Sequence, residues 1–331
     1  MNLKKIFCTA LTATMIFSLT PANAAQTDSA TDKISQIEKD SYGMEQAGAI
    51  LNRINRLEKS FTGQNMRGNM NARIDAIYDI LYSNSGEPSV MAKINALEWN
   101  VNHEVSVGGI DSRIAKLESA ILGTTHEGET FNSRIRTLSK ESFGSETIPM
   151  VSMQLTANKL IKVSLSETIG SRDLQVGDIV NFKVAEDVII NGRLVFAKGL
   201  TGEGTVKTVR KAKSWGRNGK VDIEFEKIKS IDGRDIEIFV GDESRQEMTD
   251  KAMVDGARLV GMNLSSDWDK AMIHGKNVEI KEGTEFFVQT KTDCEVYGVQ
   301  GGTGILEIAD NKNNDDDAEY EDEEYENDTE E

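Results

Sequence analysis

The sequence predicts an α+β protein whose helices and strands occupy separate segments: an N-terminal array of short α-helical repeats, then a C-terminal antiparallel β-barrel or sandwich with one packed helix. Three observations predict it. A basic-Ile-x-x-apolar pattern recurs at twenty-residue intervals, opening at Lys33-Ile34, Arg53-Ile54, Arg73-Ile74, Lys93-Ile94, Arg113-Ile114 and, one residue late, Arg134-Ile135. From about Ile148 the apolar period changes from helical to alternating. Turn signals then punctuate the chain at Asn191-Gly192, Lys198-Gly199, Gly216 to Gly219 and Asp232-Gly233.

The organisation that follows is residues 1–24 as a signal peptide, 25–147 as the helical array, 148–308 as an all-β domain and 309–331 as an acidic disordered tail. Lys4 and Lys5 supply a positive n-region, Ile6 to Leu19 an apolar stretch and Ala22-Asn23-Ala24 a small-x-small cleavage site. That stretch is shorter than the ~20 apolar residues a membrane span needs. The mature chain is therefore expected outside the cytoplasm, without a transmembrane segment. Cys294 is its one remaining thiol, expected to be free. The formal charge of −17 is concentrated in the tail, where Asp310 to Glu331 hold a dense run of carboxylates opposed only by Lys312. Nucleic acid is disfavoured as a partner, because phosphate binding needs a concentrated cationic face.

Within the array, Ile110, Ile114, Leu117 and Ile121 fall at i, i+4, i+7 and i+11, one stripe of an α-helix. The same places hold Ile50, Ile54, Leu57 and Phe61; Met70, Ile74, Ile77 and Leu81; Val90, Ile94, Leu97 and Val101; and Phe131, Ile135, Leu138 and Ser142. One continuous helix is excluded, since a twenty-residue step turns the stripe by about 200°, and glycines interrupt every unit. Four buried apolar side chains supply about 6 to 12 kcal/mol, against about 13 to 26 kcal/mol of backbone entropy for a ~13-residue helix. Units must therefore stack, either as an antiparallel zigzag or in parallel. Glu38, Glu58, Glu98 and Glu118 follow the second apolar residue of the basic-Ile-x-x-apolar motif and a base precedes its first, which reads as a solvated polar flank.

In the β half, Val176 to Val184 and Lys220 to Ile228 alternate as strands with one dry face. Leu174, Gly177, Phe182, Asp187 and Val188 are echoed in spacing by Ile280, Gly283, Val288, Asp293 and Cys294, a duplicated strand-turn-strand device. Met253, Ala257, Val260 and Leu264 suggest the packed helix. The run from Gly177 to Ile238, with Val188 to Gly192, Ala197-Lys198-Gly199, Gly204-Thr205-Val206, Trp215-Gly216 and Ser230-Ile231-Asp232-Gly233, resembles a β-domain of secreted bacterial envelope proteins and, more loosely, the β-barrel of VirB10/TrbI-type secretion-channel scaffolds. The helical units resemble the Arg-Leu-x-x-Leu-Glu repeats of other secreted bacterial proteins. These resemblances imply envelope location and assembly, and no reaction.

Catalytic residues and cofactors are expected to be none. His103, His126 and His274 share no metal-ligand spacing, and Gly216 to Val221 lacks the Ser or Thr a phosphate loop places on magnesium. One surface cluster carries binding chemistry. Lys207, Arg210, Lys211, Lys213, Arg217 and Lys220 crowd around Trp215, the combination that grips an anionic polymer; a charged hairpin tip that keeps a sheet edge soluble uses the same residues. The expected function is thus a noncatalytic envelope protein, with a helical spacer or docking array and a β assembly module. The alternative is a module for an anionic envelope polymer. The partner is a protein or that polymer, and oligomerisation is open.

Overall fold

A computed structural model describes residues 29–212, 219–254 and 277–300. The expected signal peptide, 1–24, and the expected acidic disordered tail, 309–331, lie outside the described residues. Six helices come first: α1 Ala30–Tyr42, α2 Ile50–Thr62, α3 Met70–Tyr82, α4 Val90–Asn102, α5 Ile110–Ile121 and α6 Phe131–Phe143. From α2 onward each begins at the first stripe position of its unit. Side chains of Ser29, Asn69, Ser89 and Thr130 accept the N3 amide of α1, α3, α4 and α6. Gly43, Gly63 and Gly144 end α1, α2 and α6 in the left-handed conformation.

The helices pack as two triangles. Helices α1, α2 and α3 touch one another, as do α4, α5 and α6, and the triangles join through α3–α4, α1–α5 and α2–α6. Within a triangle the helices run parallel. Lys33 Nζ lies 2.9 Å from Asp75 Oδ1 near the amino ends of α1 and α3, and Tyr82 Oη donates to Asp40 Oδ2 at 2.5 Å near their carboxyl ends. The array is therefore the parallel stack, with three units per layer.

The two layers meet end to end. A Cβ on Gly109, the N-cap of α5, would lie 2.4 Å from the amide nitrogen of Gly43, the C-cap of α1, so the close approach needs glycine there. At the next corner the Phe131 ring, opening α6, stacks edge-on against Phe61 near the end of α2, with centroids 5.1 Å apart. This stacking decides which stripe positions are dry. The first position is covered in the second layer (Val90, Ile110, Phe131), whereas Met70 of the first layer stays 36% exposed. The last position is buried in α2 and α3 (Phe61, Leu81) and only partly covered at Val101 and Ile121.

The charges that read as a solvated flank are instead buried. Glu38, Glu58, Glu98 and Glu118 are essentially inaccessible, as are Arg53, Arg113 and Arg134. Each glutamate pairs with the arginine of the next unit, at 2.7 Å for Glu38–Arg53, 2.6 Å for Glu58–Arg73, 2.7 Å for Glu98–Arg113 and 2.8 Å for Glu118–Arg134. The same carboxylates accept the loop amides of Gln46, Ser106 and His126, eight residues further along. One side chain therefore fixes both the return loop and the neighbouring helix. The correction has a simple cause: a charge pair that looks amphipathic in one unit becomes interior once three units close around it.

The ladder breaks only at the junction between layers. Tyr78 stands at the glutamate position of α3, and Lys93 of α4 turns to Glu87 at 3.4 Å.

The remaining chain is β-rich: β1 Met150–Leu155, β2 Leu160–Leu165, β3 Ile169–Gly170, β4 Ile179–Val184, β5 Val188–Ile190, β6 Arg193–Phe196, β7 Thr201–Arg210, β8 Lys220–Lys229, β9 Asp235–Phe239, α7 Asp242–Val254, β10 Glu279–Ile280, β11 Glu285–Thr290 and β12 Cys294–Gln300. Six strands close an antiparallel barrel in the order β11-β2-β4-β7-β8-β9, and β1-β12-β6-β5 form a sheet beside it. Phe182, Phe225 and Phe286 stack in the barrel core. A Cβ on Gly202 would fall 2.2 Å from the Phe182 ring, which explains a glycine inside β7. A helix does pack on the barrel: α7, whose Met248 joins the barrel core. Of the residues that suggested a helix, only Met253 belongs to it, and Ala257, Val260 and Leu264 lie outside the described residues. Among the described residues no helix is long and apolar enough to cross a membrane.

Removing one partner of a buried pair costs about 3–5 kcal/mol, so Arg113→Leu is expected to lower stability by that amount in urea denaturation, while Lys93→Gln, at a surface rung, stays within about 0.5 kcal/mol. Burial alone would raise the Glu118 carboxyl, but the hydrogen bonds and charge of Arg134, with the His126 amide, hold it below the ordinary range. The unfolded chain then binds the proton more readily than the folded one. The stabilisation is complete above the unfolded value of about 4.3 and is lost as pH falls through the lower folded value. Glu118→Gln should accordingly flatten the acid limb of a stability-versus-pH curve.

Candidate interaction surfaces

The basic cluster sits on the β7–β8 hairpin. Pairing of β4 with β7 stops at Thr205, so the outer half of the hairpin runs beyond that neighbour. Just beyond the end of β7, Asn277 Oδ1 accepts the Ala212 amide at 2.9 Å. Lys213, Trp215 and Arg217 lie outside the described residues. Of the others, Lys207 pairs with Glu224 at 2.5 Å and Lys220 with Asp222 at 2.9 Å. The hydrogen bond and charge of Glu224 raise the Lys207 ammonium above its usual value. Lys211 is exposed, and Arg210 ends β7. Two cations of the described part are thus already matched by their own sheet, Lys207 across the β7–β8 pair and Lys220 along β8 itself.

The surface the sequence reading missed joins the helices to the barrel. Helix α4 is apolar on two sides: Ile94 and Leu97 face the helical core, and Ala96 and Trp99 belong to the barrel core. Trp99 Nε1 donates to Asp187 Oδ2 at 2.7 Å, and the other oxygen of Asp187 accepts the Lys198 amide at 2.7 Å. Asp293, the residue that echoes Asp187 in the duplicated device, accepts the Ala157 amide at 2.7 Å, so both copies close a turn in the same way. Beyond α4 the Val105 amide donates to Lys198 O at 2.8 Å, tight against Gly199.

The Ser230 to Gly233 turn, which the sequence marks as a turn signal, lies in this junction with Ser230, Ile231 and Asp232 buried. Asp232 Oδ1 accepts the Ser230 hydroxyl at 2.5 Å and Oδ2 accepts the Tyr297 amide at 2.9 Å. Its backbone carbonyl accepts Asn84 Nδ2 at 2.9 Å, and the Ile231 carbonyl accepts Asn95 Nδ2 at 3.0 Å. Asn95 is also part of the ladder, because its Oδ1 accepts Arg113 Nη2 at 2.7 Å. One amide therefore links the buried ion pair to the barrel. The signal available in the sequence was the second apolar row of α4, Ala92, Ala96 and Trp99, off the common stripe.

The remaining chemical candidates are accounted for locally. His103 caps α4 in the left-handed conformation, its amide donating to Trp99 O. His126 Nδ1 lies 3.6 Å from Glu118 Oε1, and His274 is outside the described residues. Cys294 is free and half-buried, and burial pushes its thiol up.

No family model matches the chain, and no curated protein matches it. Among solved structures it is similar to ComB10 of the Com type IV secretion system of Helicobacter pylori, at 19% identity and a TM-score of 0.24, over 42% of this chain and 88% of that one.

Asn95→Ala strands both the Ile231 carbonyl and a guanidinium N–H, and is expected to cost about 1–3 kcal/mol. Asn55→Ala, at the equivalent place in α2, removes only a contact to Arg73 and should cost less. Denaturation of the two variants side by side checks the difference.

Proposed function

We propose that this is a noncatalytic protein of the bacterial cell envelope, in which the β-domain is an assembly module and the stacked helices are a docking body held against it. The observation that carries the reading is the α4 junction. Buried hydrogen bonds from Asn84, Asn95 and Trp99 hold the helical layers on the barrel, so the two surfaces are presented in one fixed relation. Such a construction suits recognition of a partner by two faces at once. The signal-like N-terminus and the repeat architecture support export and a structural role.

The β7–β8 hairpin supports the second reading, an anionic envelope polymer bound through Lys211, Lys213, Trp215 and Arg217. The two separate in one experiment on the whole mature chain, incubated with outer membrane, sacculi and soluble periplasm. The docking reading expects retention by a protein that withstands moderate salt and survives Lys211→Gln, Lys213→Gln and Arg217→Gln together. Retention by sacculi or lipid that disappears with salt and with those substitutions would replace it with the polymer reading.

A further inference from the structure

The two helical layers are pseudo-equivalent, and comparing them exposes a site. Sixty residues separate α1 from α4, and sixty-one separate α3 from α6. In the first layer a crevice of about 130 Å³ between α1 and α3 is lined by Ala30, Lys33, Asn71, Ile74 and Asp75, and the Lys33–Asp75 ion pair closes it. The equivalent residues in the second layer are Val90, Lys93, Asn132, Ile135 and Arg136, and they line a groove of about 900 Å³. Lys93 repeats Lys33, but Arg136 stands where the first layer has Asp75. The carboxylate that would close this crevice is missing, and a second cation takes its place.

The groove's own carboxylates replace it only weakly. Glu87 reaches Lys93 at 3.4 Å and Glu146 reaches Arg136 at 3.7 Å, with the two glutamate side chains 81% and 62% exposed. Asp79 is a third acid on the rim. Exposed pairs of this kind are readily exchanged, because water screens them and long side chains lose entropy to form them. Lys93 lies deeper, its side chain 25% exposed, beside the apolar surfaces of Ile80, Ile135 and Ile148. The site therefore offers an apolar floor and two cations to a carboxylate brought in from outside the array.

We infer that this groove binds the chain's own acidic C-terminal segment, Asp310 to Glu331. The described chain ends beside it. The Gln300 amide donates to Pro149 O at 2.8 Å, and Ile148, the preceding residue, lines the groove. The ten residues from 301 to 310 span up to about 35 Å when extended, enough to bring the carboxylates to Lys93 and Arg136. The segment's carboxylates complement Lys93 and Arg136, where they would take the places of Glu87 and Glu146, and Tyr320 and Tyr325 stand among its acids to cover the isoleucines.

Isoleucine methyl NMR on the full chain and on a chain ending at Ala309 tests this. Removing the segment is expected to shift the Ile80, Ile135 and Ile148 methyl resonances, and a peptide of residues 310–331 added to the shortened chain should restore them. Restoration should vanish in high salt and in the Lys93→Gln/Arg136→Gln double variant, whose thermal melt in the shortened chain is expected to match that of its parent, since neither side chain belongs to the buried ladder. Unmoved methyls on truncation, or peptide binding that survives the double substitution, would overturn the proposal. So would methyl shifts in the full chain that disappear on dilution, which would give the groove to a second copy.

Discussion

Everything in the helical half depends on a carboxylate buried between two units. A glutamate with no partner at that depth would be prohibitive, so the fold is stable only where the next unit's arginine arrives in register. Apolar stripes alone would tolerate sliding and rotation of the helices, because hydrophobic burial has no direction. The arginine contact, bidentate at Arg53, Arg73 and Arg134, has direction. It fixes which helix lies beside which and leaves the apolar residues to supply the bulk of the free energy.

The same constraint explains where the pattern stops. Between α3 and α4 the chain passes from one layer to the next, the helices meet near their ends, and no arginine of α4 can reach a glutamate of α3. Both members of the rung change together there, to Tyr78 and Lys93. At the end of the array α6 has Ser139 in the glutamate position, and its hydroxyl donates to Ser145 O. A unit without a successor has no buried acid to satisfy.

The helices were legible in the sequence nearly to the residue, because each unit repeats the same stripe and a period of twenty leaves little freedom in assigning it. Burial of Glu38, Glu58, Glu98 and Glu118 was not, since a charged row on one amphipathic helix looks alike whether water or another helix covers it. The informative signal was relational: the glutamate is lost only where the following arginine is lost too. In the β half, alternation marked β4 and β8, and Asn191-Gly192 marked the β5–β6 turn, where both residues adopt positive φ. Closure of the barrel depends on pairings distant in sequence, such as β2 with β11, which local patterns do not encode. The basic cluster was visible as composition, and Lys220 with Asp222 two residues on shares one face of an alternating strand, whereas the pairing of Lys207 with Glu224 appears only once the register of β7 on β8 is known.

Three units complete one layer, and only α4 carries the second apolar row that meets the barrel. Inserting or deleting a single unit between α4 and β1 would carry the chain's exit a third of the way around the stack, away from the side on which that row meets Asp187 and the Ser230 to Gly233 turn. A change of three units would bring it back to the same side. The stretch of array after α4 is therefore free to change length only in whole layers, an arithmetic imposed by the one helix that must face two ways.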